Sequence, residues 1–536
     1  MLLSQILLAS LLPLGYGRSF GLYDASMQSQ LRIQPQSTQD YLLTDSGLAL
    51  LHLSSLPSDQ YTALSHPRFP NHKVRVKQTQ FCDPTVNVYT GYLDVDEGAK
   101  HMFFYFFESR RNPDQGKHWS ECYICCLSLN LINMTQGPGC SSATGLLMEL
   151  GPCSIDMSSK SSNGTLWNPY SWNKEANVFF LDQPVGVGFS YADYGETIET
   201  TETAAKNVHA FISIFFETFP QFSGRRLHLA GESYGGRYLP VFASEIYDQN
   251  QIAEKEERPI LNLQSVLIGN GNTDISTLYL GRYEVECGRA SFDIPFQSIS
   301  ACVRIKTSLP RCQKRLHDSC INRFDAIDCR AAVSFCDSEL STAMWATGRN
   351  VYDMSKMCEG ANLCYKEEDV IAEYLNLPAT RELLGVEIAG NFSSCSADVS
   401  AGFNSNLDKW RVHTQDYVAN LLDRGIRFLI YAGTYDWQCN WVANKLWVDK
   451  LTWSQSDVYQ QETWREWTVN GKAAGEVKGT DLLTFVTIWG AGHMMSSFFS
   501  VKVFMCADIC FPIYVPHDKP AEALAMVSRW LSREKM

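Results

Sequence analysis

The sequence predicts an α/β fold, with a central mixed sheet, helices on its faces and a disulfide-rich cap insertion. Strand-like apolar runs that end in glycine alternate with helical patterns along most of the chain. Between about residues 280 and 400 this alternation is broken, and nine of the 18 cysteines lie there. No internal repeat and no Pro/Gly/Ser-rich linker divides the chain, so one large domain with an insertion is favoured over several domains.

Composition limits the classes of function. The chain has 536 residues, of which 45% are apolar and 12% aromatic, so it can form a large core. Its formal net charge of −13 argues against nucleic acids and anionic membranes as partners. The sequence has no phosphate-binding G-x-x-x-x-G-K-[ST] loop and no dinucleotide fingerprint, and we expect no cofactor.

The N-terminal segment predicts secretion. Residues 1–17 form a short apolar run that ends in small residues, which is typical of a signal peptide and too short to span a membrane. Residues 18–75 are predicted to be an N-terminal extension or propeptide, and the main domain is predicted at 76–535. The sequons at Asn163 and Asn391 agree with a secreted glycoprotein, with a vacuole- or lysosome-like compartment as the alternative.

The cysteines favour disulfides over metal binding. Eighteen cysteines behind a signal peptide are typical of an oxidising compartment. Cys122 and Cys125 have C-x-x-C spacing, but no second pair follows at zinc-finger spacing, and there is no H-E-x-x-H motif. We therefore predict no metal site.

Residues 227–240 have the pattern of a nucleophile elbow. Ser233 lies in a G-x-S-x-G frame between Gly231 and Gly235, after an apolar strand-like run and before a helical one. Small residues around the serine permit the strained strand-to-helix turn that raises its Oγ above the edge of a sheet. A match to this frame alone also occurs in ordinary loops, so the other catalytic groups decide its interpretation.

Two later strand patterns supply the partners that a serine nucleophile needs. Asp436 follows the strand-like run 427–433, and His493 follows the run 482–489. The order Ser, Asp, His, each after a strand, is that of an α/β-hydrolase, with His493 as general base and Asp436 as the group that orients it. A lone aspartate or histidine is more often structural, but both in this order favour a triad.

An oxyanion hole completes the predicted machinery. Acyl transfer needs backbone N–H groups that point at the developing negative charge. Tyr234, directly after the nucleophile, offers one, and the glycine-rich loop 137–145 offers a second, which we assign to Gly137.

Five motifs in order carry a resemblance to a known family: Gly137–Ser142 (GPGCSS), Asp182–Tyr191 (DQPVGVGFSY), Gly231–Gly236 (GESYGG), Ile268–Gly271 (IGNG) and Gly490–Met494 (GAGHM). Together they resemble the serine carboxypeptidases, in particular the carboxypeptidase Y type, over residues 75–535. The resemblance implies an α/β-hydrolase fold. It also implies an exopeptidase that removes C-terminal amino acids from peptides and proteins in acid, through an acyl-enzyme on Ser233.

The resemblance also explains the glutamate before the nucleophile. It implies that Glu232 shares a proton with Glu149 and that the two bind the terminal carboxylate of a peptide. Two adjacent carboxylates do not both ionise readily, so one pKa rises and the protonated form can donate a hydrogen bond. A lipase or esterase has no reason to place carboxyls there. By the same resemblance, Cys439 is a free thiol and lines the substrate pocket with Met494.

The disulfides implied by the family pattern all involve the cap or its edges. They are Cys140–Cys395, Cys287–Cys302, Cys312–Cys336, Cys320–Cys329 and Cys358–Cys364. Cys82 and Cys153 remain, and pairing them with each other is a guess.

Two blocks, 116–136 and 495–514, depart from the family pattern. In the first, Thr135 and Gln136 replace the Asn and Gly that would hold the substrate carboxylate, and the Cβ of Gln136 suggests a clash with the peptide. The second block directly follows Met494. Both are translated intron or misplaced exon sequence, or the chain is an isoform with altered activity.

Three interpretations therefore stay open. The chain is an active serine carboxypeptidase, a catalytically impaired carboxypeptidase-like scaffold, or an esterase or acyltransferase on the same fold. The sequence predicts no side-chain preference, no propeptide cleavage site and no oligomeric state.

Overall fold

The fold is that of a computed structural model, and its strands are given first. In chain order they are β1 Leu42–Leu43, β2 Ala49–Leu50, β3 Thr62–Ser65, β4 Lys73–Thr79, β5 Val88–Val95, β6 Lys100–Phe107, β7 Leu129–Thr135, β8 Cys153–Ile155, β9 Thr165–Trp167, β10 Asn177–Leu181, β11 Tyr191–Ala192, β12 Arg226–Glu232, β13 Leu263–Gly269, β14 Arg349–Asn350, β15 Asp353–Met357, β16 Arg427–Gly433, β17 Arg465–Val469, β18 Lys472–Gly479, β19 Leu483–Ile488, β20 Val501–Val503 and β21 Ile513–Val515.

The structure describes residues 42–43, 48–111, 129–135, 138–158, 163–360, 363–411, 413–494, 501–503, 513–515 and 518–536, with backbone alone at 42–43, 49, 129–135, 501–503 and 513–515. The predicted signal peptide at 1–17 lies outside the described residues. So do most of the two atypical blocks, including Cys122 and Cys125.

A mixed sheet of 13 strands forms the centre of the described fold, in the order β17-β18-β19-β16-β13-β12-β7-β10-β6-β5-β4-β3, with β11 beside β6. The six strands from β19 to β10 are mutually parallel, and both outer parts of the sheet are antiparallel. Parallel strands that are covered on both faces read as unbroken apolar runs. The fully buried β10 and β19 show this pattern.

Strand β7 comes from the first atypical block, and it occupies a central position in the sheet. It pairs in parallel with β12 on one side and with β10 on the other. The block therefore supplies the strand that leads to the predicted glycine loop, even though its sequence departs from the family pattern.

Helices cover the sheet and form the cap. They are α1 Thr201–Thr218, α2 Gly235–Lys255, α3 Leu278–Glu286, α4 Ile299–Leu316, α5 Ala326–Cys336, α6 Thr342–Trp345, α7 Lys366–Leu375, α8 Pro378–Leu384, α9 Ala397–Ser405, α10 Thr414–Leu422, α11 Trp441–Lys450, α12 Ser456–Gln461 and α13 Pro520–Ser532. Several begin at a residue whose side chain accepts from the first turn, which satisfies an otherwise unpaired N–H. Ser298 caps α4, Asp325 caps α5 and Asn440 caps α11 in this way.

Two apolar clusters fill the space on the two faces of the sheet. One contains side chains of α1 and α2, such as Phe215 and Phe242, and the other contains side chains of α13, such as Trp530. Leu64 and Val74 belong to the first cluster, and their strands β3 and β4 form one edge of the sheet. The sheet therefore begins upstream of residue 76, the predicted start of the main domain, because these apolar side chains are buried with it.

The cap lies between β13 and β16, in a segment that contains α3 to α10, and the last of these helices, α10, packs in the first apolar cluster beside the sheet. Its disulfides are Cys287–Cys302, Cys312–Cys336, Cys320–Cys329 and Cys358–Cys364. Two more bonds, Cys140–Cys395 and Cys82–Cys153, join distant segments. Each closes a long loop, which restricts the unfolded chain. Among the helices of the described residues, none has the length and apolar character needed to cross a membrane.

Candidate active site

Ser233 lies in a strained turn between β12 and α2. Its φ is 59°, a left-handed value that is uncommon for a residue with a side chain. The backbone holds this turn from both sides, because the Ser233 N–H donates to the Gly269 carbonyl at 3.1 Å and the Ser233 carbonyl accepts from the Asn272 N–H at 2.8 Å. A Cβ at Gly236 would lie 2.6 Å from the Asn272 nitrogen, so only glycine permits this close approach.

Asp436 and His493 meet at the carboxyl ends of their strands. The Nδ1 of His493 lies 2.7 Å from Oδ2 of Asp436, and both side chains are buried. The backbone N–H of Cys439 lies 3.2 Å from each Asp436 oxygen and donates to this carboxylate. The hydrogen bond to Asp436 fixes the ring orientation of His493 and leaves its Nε2 for another group.

Groups on three other segments hold the histidine loop. The Asn270 amide donates to the carbonyls of Gly492 and His493, at 3.0 and 3.1 Å, and its oxygen accepts from the Gly433 N–H at 2.8 Å. The His493 N–H donates to the Tyr352 carbonyl at 2.7 Å. The Asp518 carboxylate accepts from the Gly492 N–H at 3.0 Å. The imidazole is therefore positioned by the ends of β13 and β16 and by residues before and after the second atypical block.

Glu149 and Glu232 form a buried carboxyl pair beside this machinery. Each is 3% exposed, and their side chains are hydrogen-bonded to each other. Burial raises the pKa of both, and the Glu149 charge raises that of Glu232 further. A Glu232 oxygen lies 3.8 Å from Nε2 of His493. The pair is thus close to the reacting groups and holds a proton that ordinary carboxyls release.

Cys439 is a buried thiol that forms no disulfide with a described residue, and it lies close to the triad candidates. Its Sγ, a carboxylate oxygen of Asp436 and a ring nitrogen of His493 lie within 4.8 Å of one another, and its side chain is hydrogen-bonded to Ser233. Three such donors are close enough for a metal ion, but one ring nitrogen of His493 is engaged by Asp436. Burial also raises the pKa of the Cys439 thiol to about 12, which disfavours the thiolate that a metal needs. Met494, the other predicted pocket residue, is fully buried.

The first of the predicted oxyanion-hole residues is anchored by its side chain. Tyr234 precedes α2, so its N–H lies at a helix N-terminus, and its hydroxyl donates to Asp408 at 2.8 Å. Gly137, the second, lies outside the described residues, as does Gln136, and Thr135 is described by its backbone alone. The sequon residues Asn163 and Asn391 are both exposed.

Sequence reasoning missed the residues that position the histidine. Asn270 belongs to the IGNG motif, but the sequence analysis assigned it no function. Its position as a polar residue directly after a buried strand could have indicated a residue of the site. Tyr352 acts through its backbone carbonyl and Asp518 lies 25 residues beyond His493 in the sequence, so neither left a local pattern.

Comparison with known proteins identifies the family and the fold. The family model described as serine carboxypeptidase matches residues 78–505. Carboxypeptidase Y of Candida albicans is 39% identical over 465 residues, covering 86% of this chain and 77% of the relative. Carboxypeptidase Y of Saccharomyces cerevisiae is 38% identical over 464 residues, covering 86% and 78%.

Among solved structures, the prohormone-processing carboxypeptidase Kex1Δp of Saccharomyces cerevisiae superposes with a TM-score of 0.65 at 21% identity, covering 89% of this chain and 96% of that one. This likeness confirms the predicted α/β-hydrolase fold. The match of the family model and the identity to its relatives confirm the resemblance that the motifs indicated. The chain belongs to the serine carboxypeptidase family and is a peptide hydrolase.

Proposed function

We propose that this carboxypeptidase releases C-terminal amino acids from peptides and proteins in acid, with Ser233, His493 and Asp436 as its catalytic triad. The proposal rests mainly on the buried pair of Glu149 and Glu232. This pair places a protonated carboxyl, which can bind a terminal carboxylate, beside a serine nucleophile. A hydrolase of lipids or simple esters has no use for two buried carboxyls at this position.

In acylation, the Ser233 oxygen attacks the carbonyl carbon of the last peptide bond and its proton passes to Nε2 of His493. The same proton then goes to the nitrogen of the leaving amino acid as the C–N bond breaks. Water repeats the sequence on the ester, so that the peptide acid is released and Ser233 regains its proton. Asp436 holds the imidazole in the required orientation throughout.

Charge develops on the carbonyl oxygen during both attacks. We assign its stabilisation to the Tyr234 N–H, at the start of α2, and to the Gly137 N–H. The hydrogen bond from the Tyr234 hydroxyl to Asp408 supports this assignment, since it restrains the residue whose backbone must point at the oxygen.

The carboxyl pair gives the reaction its dependence on acid. Since burial raises both pKa values, the pair retains a proton at a pH where free carboxyls have lost theirs, and it can donate that proton to the substrate carboxylate. As the pH rises above the pKa of the pair, the proton is lost and the resulting charge repels the substrate. Activity on peptides with a free C-terminus is therefore highest below that pKa.

The replacement Ser233→Ala tests the proposal. We expect it to lower kcat on a blocked dipeptide by about 10⁵-fold or more, and to abolish labelling by a serine-directed phosphonylating reagent. Ser223→Ala, at an exposed serine, is the matched control. Turnover that survives Ser233→Ala would contradict the proposal.

The wild-type protein separates the three open interpretations. Labelling together with release of free amino acids supports the carboxypeptidase, whereas a folded protein without labelling supports an impaired scaffold. Turnover of small acyl esters but not of peptides supports an esterase or acyltransferase. Secretion, with a vacuole-like compartment as the alternative, stays a prediction from the N-terminal segment.

A further inference from the structure

A cavity of about 320 Å³ lies next to the catalytic residues, between the cap and the loop after β16. Its walls contain three tryptophans, Trp345, Trp410 and Trp437, together with two cations, Arg282 and Lys409. Its size fits one amino-acid side chain with solvent, and its mixed apolar and cationic lining is typical of a site that orients a ligand by one charged group.

The cavity adjoins the nucleophile through Cys439. Trp437, which lines the cavity, directly follows Asp436, and Cys439 stands two residues later with its thiol hydrogen-bonded to Ser233. Arg282 and Lys409 both act electrostatically on that thiol. A side chain that enters the cavity therefore lies close to the thiol that contacts Ser233.

Lys409 is the unpaired cation of the cavity. Its ammonium group makes no hydrogen bond or ion pair with the described residues, and it lies 4.9 Å from the ring centre of Trp410. The side chain is half-buried, and burial followed by the charge of Arg282 lowers its pKa to about 8, so it is protonated in acid. A charged group that is shielded from water and lacks a partner gains from an anionic ligand.

Arg282 is fixed in place beneath the cavity. It lies over the Trp437 ring at 4.0 Å and donates to the Ser341 hydroxyl at 3.2 Å and to the Gln438 side-chain oxygen at 3.0 Å. Asp337 is the acidic residue in the lining, 4.0 Å from Arg282 and half exposed. The cavity therefore keeps a net positive charge.

The backbone beside Lys409 is anchored to the catalytic turn. The carboxylate of Asp408, the preceding residue, accepts from the Thr201 hydroxyl at 2.6 Å and from the Tyr234 hydroxyl at 2.8 Å. Arg237 on α2 donates to this carboxylate at 3.4 Å and to the Asp408 backbone carbonyl at 3.2 Å. Lys409 is thus held at a constant distance from the turn that carries Ser233.

We infer that this cavity binds an acidic side chain, that of the residue before the scissile bond, and that Lys409 with Arg282 makes the enzyme prefer glutamate or aspartate there. The inference rests on the proposed function. The cavity and the carboxyl pair share no residue, and the pair is assigned to the terminal residue. In this assignment the cavity receives the residue on the other side of the scissile bond.

Blocked dipeptides with a free C-terminus test the inference. The substrates are benzyloxycarbonyl-Glu-Leu, -Gln-Leu and -Leu-Glu, compared at about pH 5.5, where a free glutamate with a pKa of about 4.3 is ionised. We expect kcat/KM for Glu-Leu to exceed that for Gln-Leu by about tenfold, as for one charge-assisted hydrogen bond. Lys409→Met should reduce this ratio to about two, and Lys409→Arg should preserve it.

The control variant is Lys206→Met, at an exposed lysine on α1, which should leave the ratio at its wild-type value. Phosphonylation of Ser233 in each variant verifies that the catalytic site is folded, and Arg282→Gln provides a second variant. Equal rates on Glu-Leu and Gln-Leu in the wild type, or a glutamate preference at the last residue instead, would overturn the inference. No hydrolysis of any dipeptide would instead contradict the proposed function.

Discussion

The molecule contains two places suited to a carboxylate, and they differ in chemistry. Beside Ser233, Glu149 and Glu232 are acids whose shared proton would bind the substrate terminus. On the other side of Cys439, the cavity offers the charges of Arg282 and Lys409. The first site depends on a proton that leaves as the pH rises, and the second depends on cations that persist to higher pH.

Under the proposed function, this difference would let one active site bind two carboxylates at separate positions. A cation beside the glutamate pair would stabilise its ionised form and remove the dependence on acid. A proton-sharing pair in the cavity would recognise neutral amides as well as acids. Each mechanism therefore suits its own position, and pH is the variable that separates them.

The largest expected effect comes from the glutamate pair. In the wild type, kcat/KM for a peptide with a free C-terminus should fall by about tenfold for each pH unit above the pKa of the pair. Glu232→Gln keeps a neutral donor but removes the shared proton, so this decline should become shallow. Rates on a blocked dipeptide between pH 5 and 9 measure it.

Two comparisons complete that experiment. A substrate whose C-terminus is an amide has no charge to repel, so its rate should not show the same decline in the wild type. Glu254→Gln, at an exposed glutamate on α2, should behave as wild type. An identical decline for the acid and the amide would show that the pair does not cause it.

A smaller effect is expected in the cavity. Since the pKa of Lys409 is lowered from its ordinary value to about 8, the preference for Glu-Leu over Gln-Leu should be constant from pH 5.5 to 7. Above pH 8 the ratio of kcat/KM for the two substrates, about tenfold at lower pH, should fall most of the way to one. Lys409→Arg should remain constant over the whole range, because arginine does not deprotonate there. A preference that falls together with the decline caused by the glutamate pair would contradict the separation of the two sites.

The last effect is on stability, not on activity, and comes from Glu286, one turn after Arg282 on α3. It is buried, it accepts from Gln297 at 3.1 Å, and burial raises its pKa to about 7. Between its unfolded pKa of about 4.5 and pH 7 the folded protein binds more protons than the unfolded chain, so this group lowers stability as the pH rises.

Glu286→Gln should therefore reduce the loss of unfolding free energy between pH 4.5 and 7 by about 2 to 3 kcal/mol. Urea unfolding at the two pH values measures this, with Glu254→Gln as the control. An unchanged loss would mean that Glu286 ionises without cost and that other buried carboxyls cause the pH dependence.

The sequence predicted where Ser233, Asp436 and His493 lie in the fold because their signals are local. A serine flanked by glycines between a strand and a helix can be detected in a short stretch of sequence, and so can a polar residue just after a buried strand. Parallel strands then bring these strand ends to one edge of the sheet. The order of Ser233, Asp436 and His493 then restricted the fold. Five of the cysteine pairs and the glutamate pair came from the family pattern, not from spacing, and the pair Cys82–Cys153 was a guess.

The cationic cavity left no such signal. Arg282 and Lys409 are 127 residues apart, on different segments of the cap, and each alone reads as an ordinary surface charge. Their proximity depends on how the cap packs against the loop after β16 and on the Asp408 contacts with α1 and α2. The predicted domain start at residue 76 excluded β3 and the beginning of β4 for a related reason. These strands are recognisable only once the structure shows the side chains that pack against them.

The anchoring of the histidine loop has a consequence for redesigning this enzyme. Asn270 and Tyr352 precede the loop in the chain, Asp518 follows it, and all three bond to Gly492 or His493. These contacts hold the histidine loop from both sides of residues 495–514. This makes the junction between Met494 and Asp518 a natural place for grafting foreign sequence, such as a purification tag or a binding module.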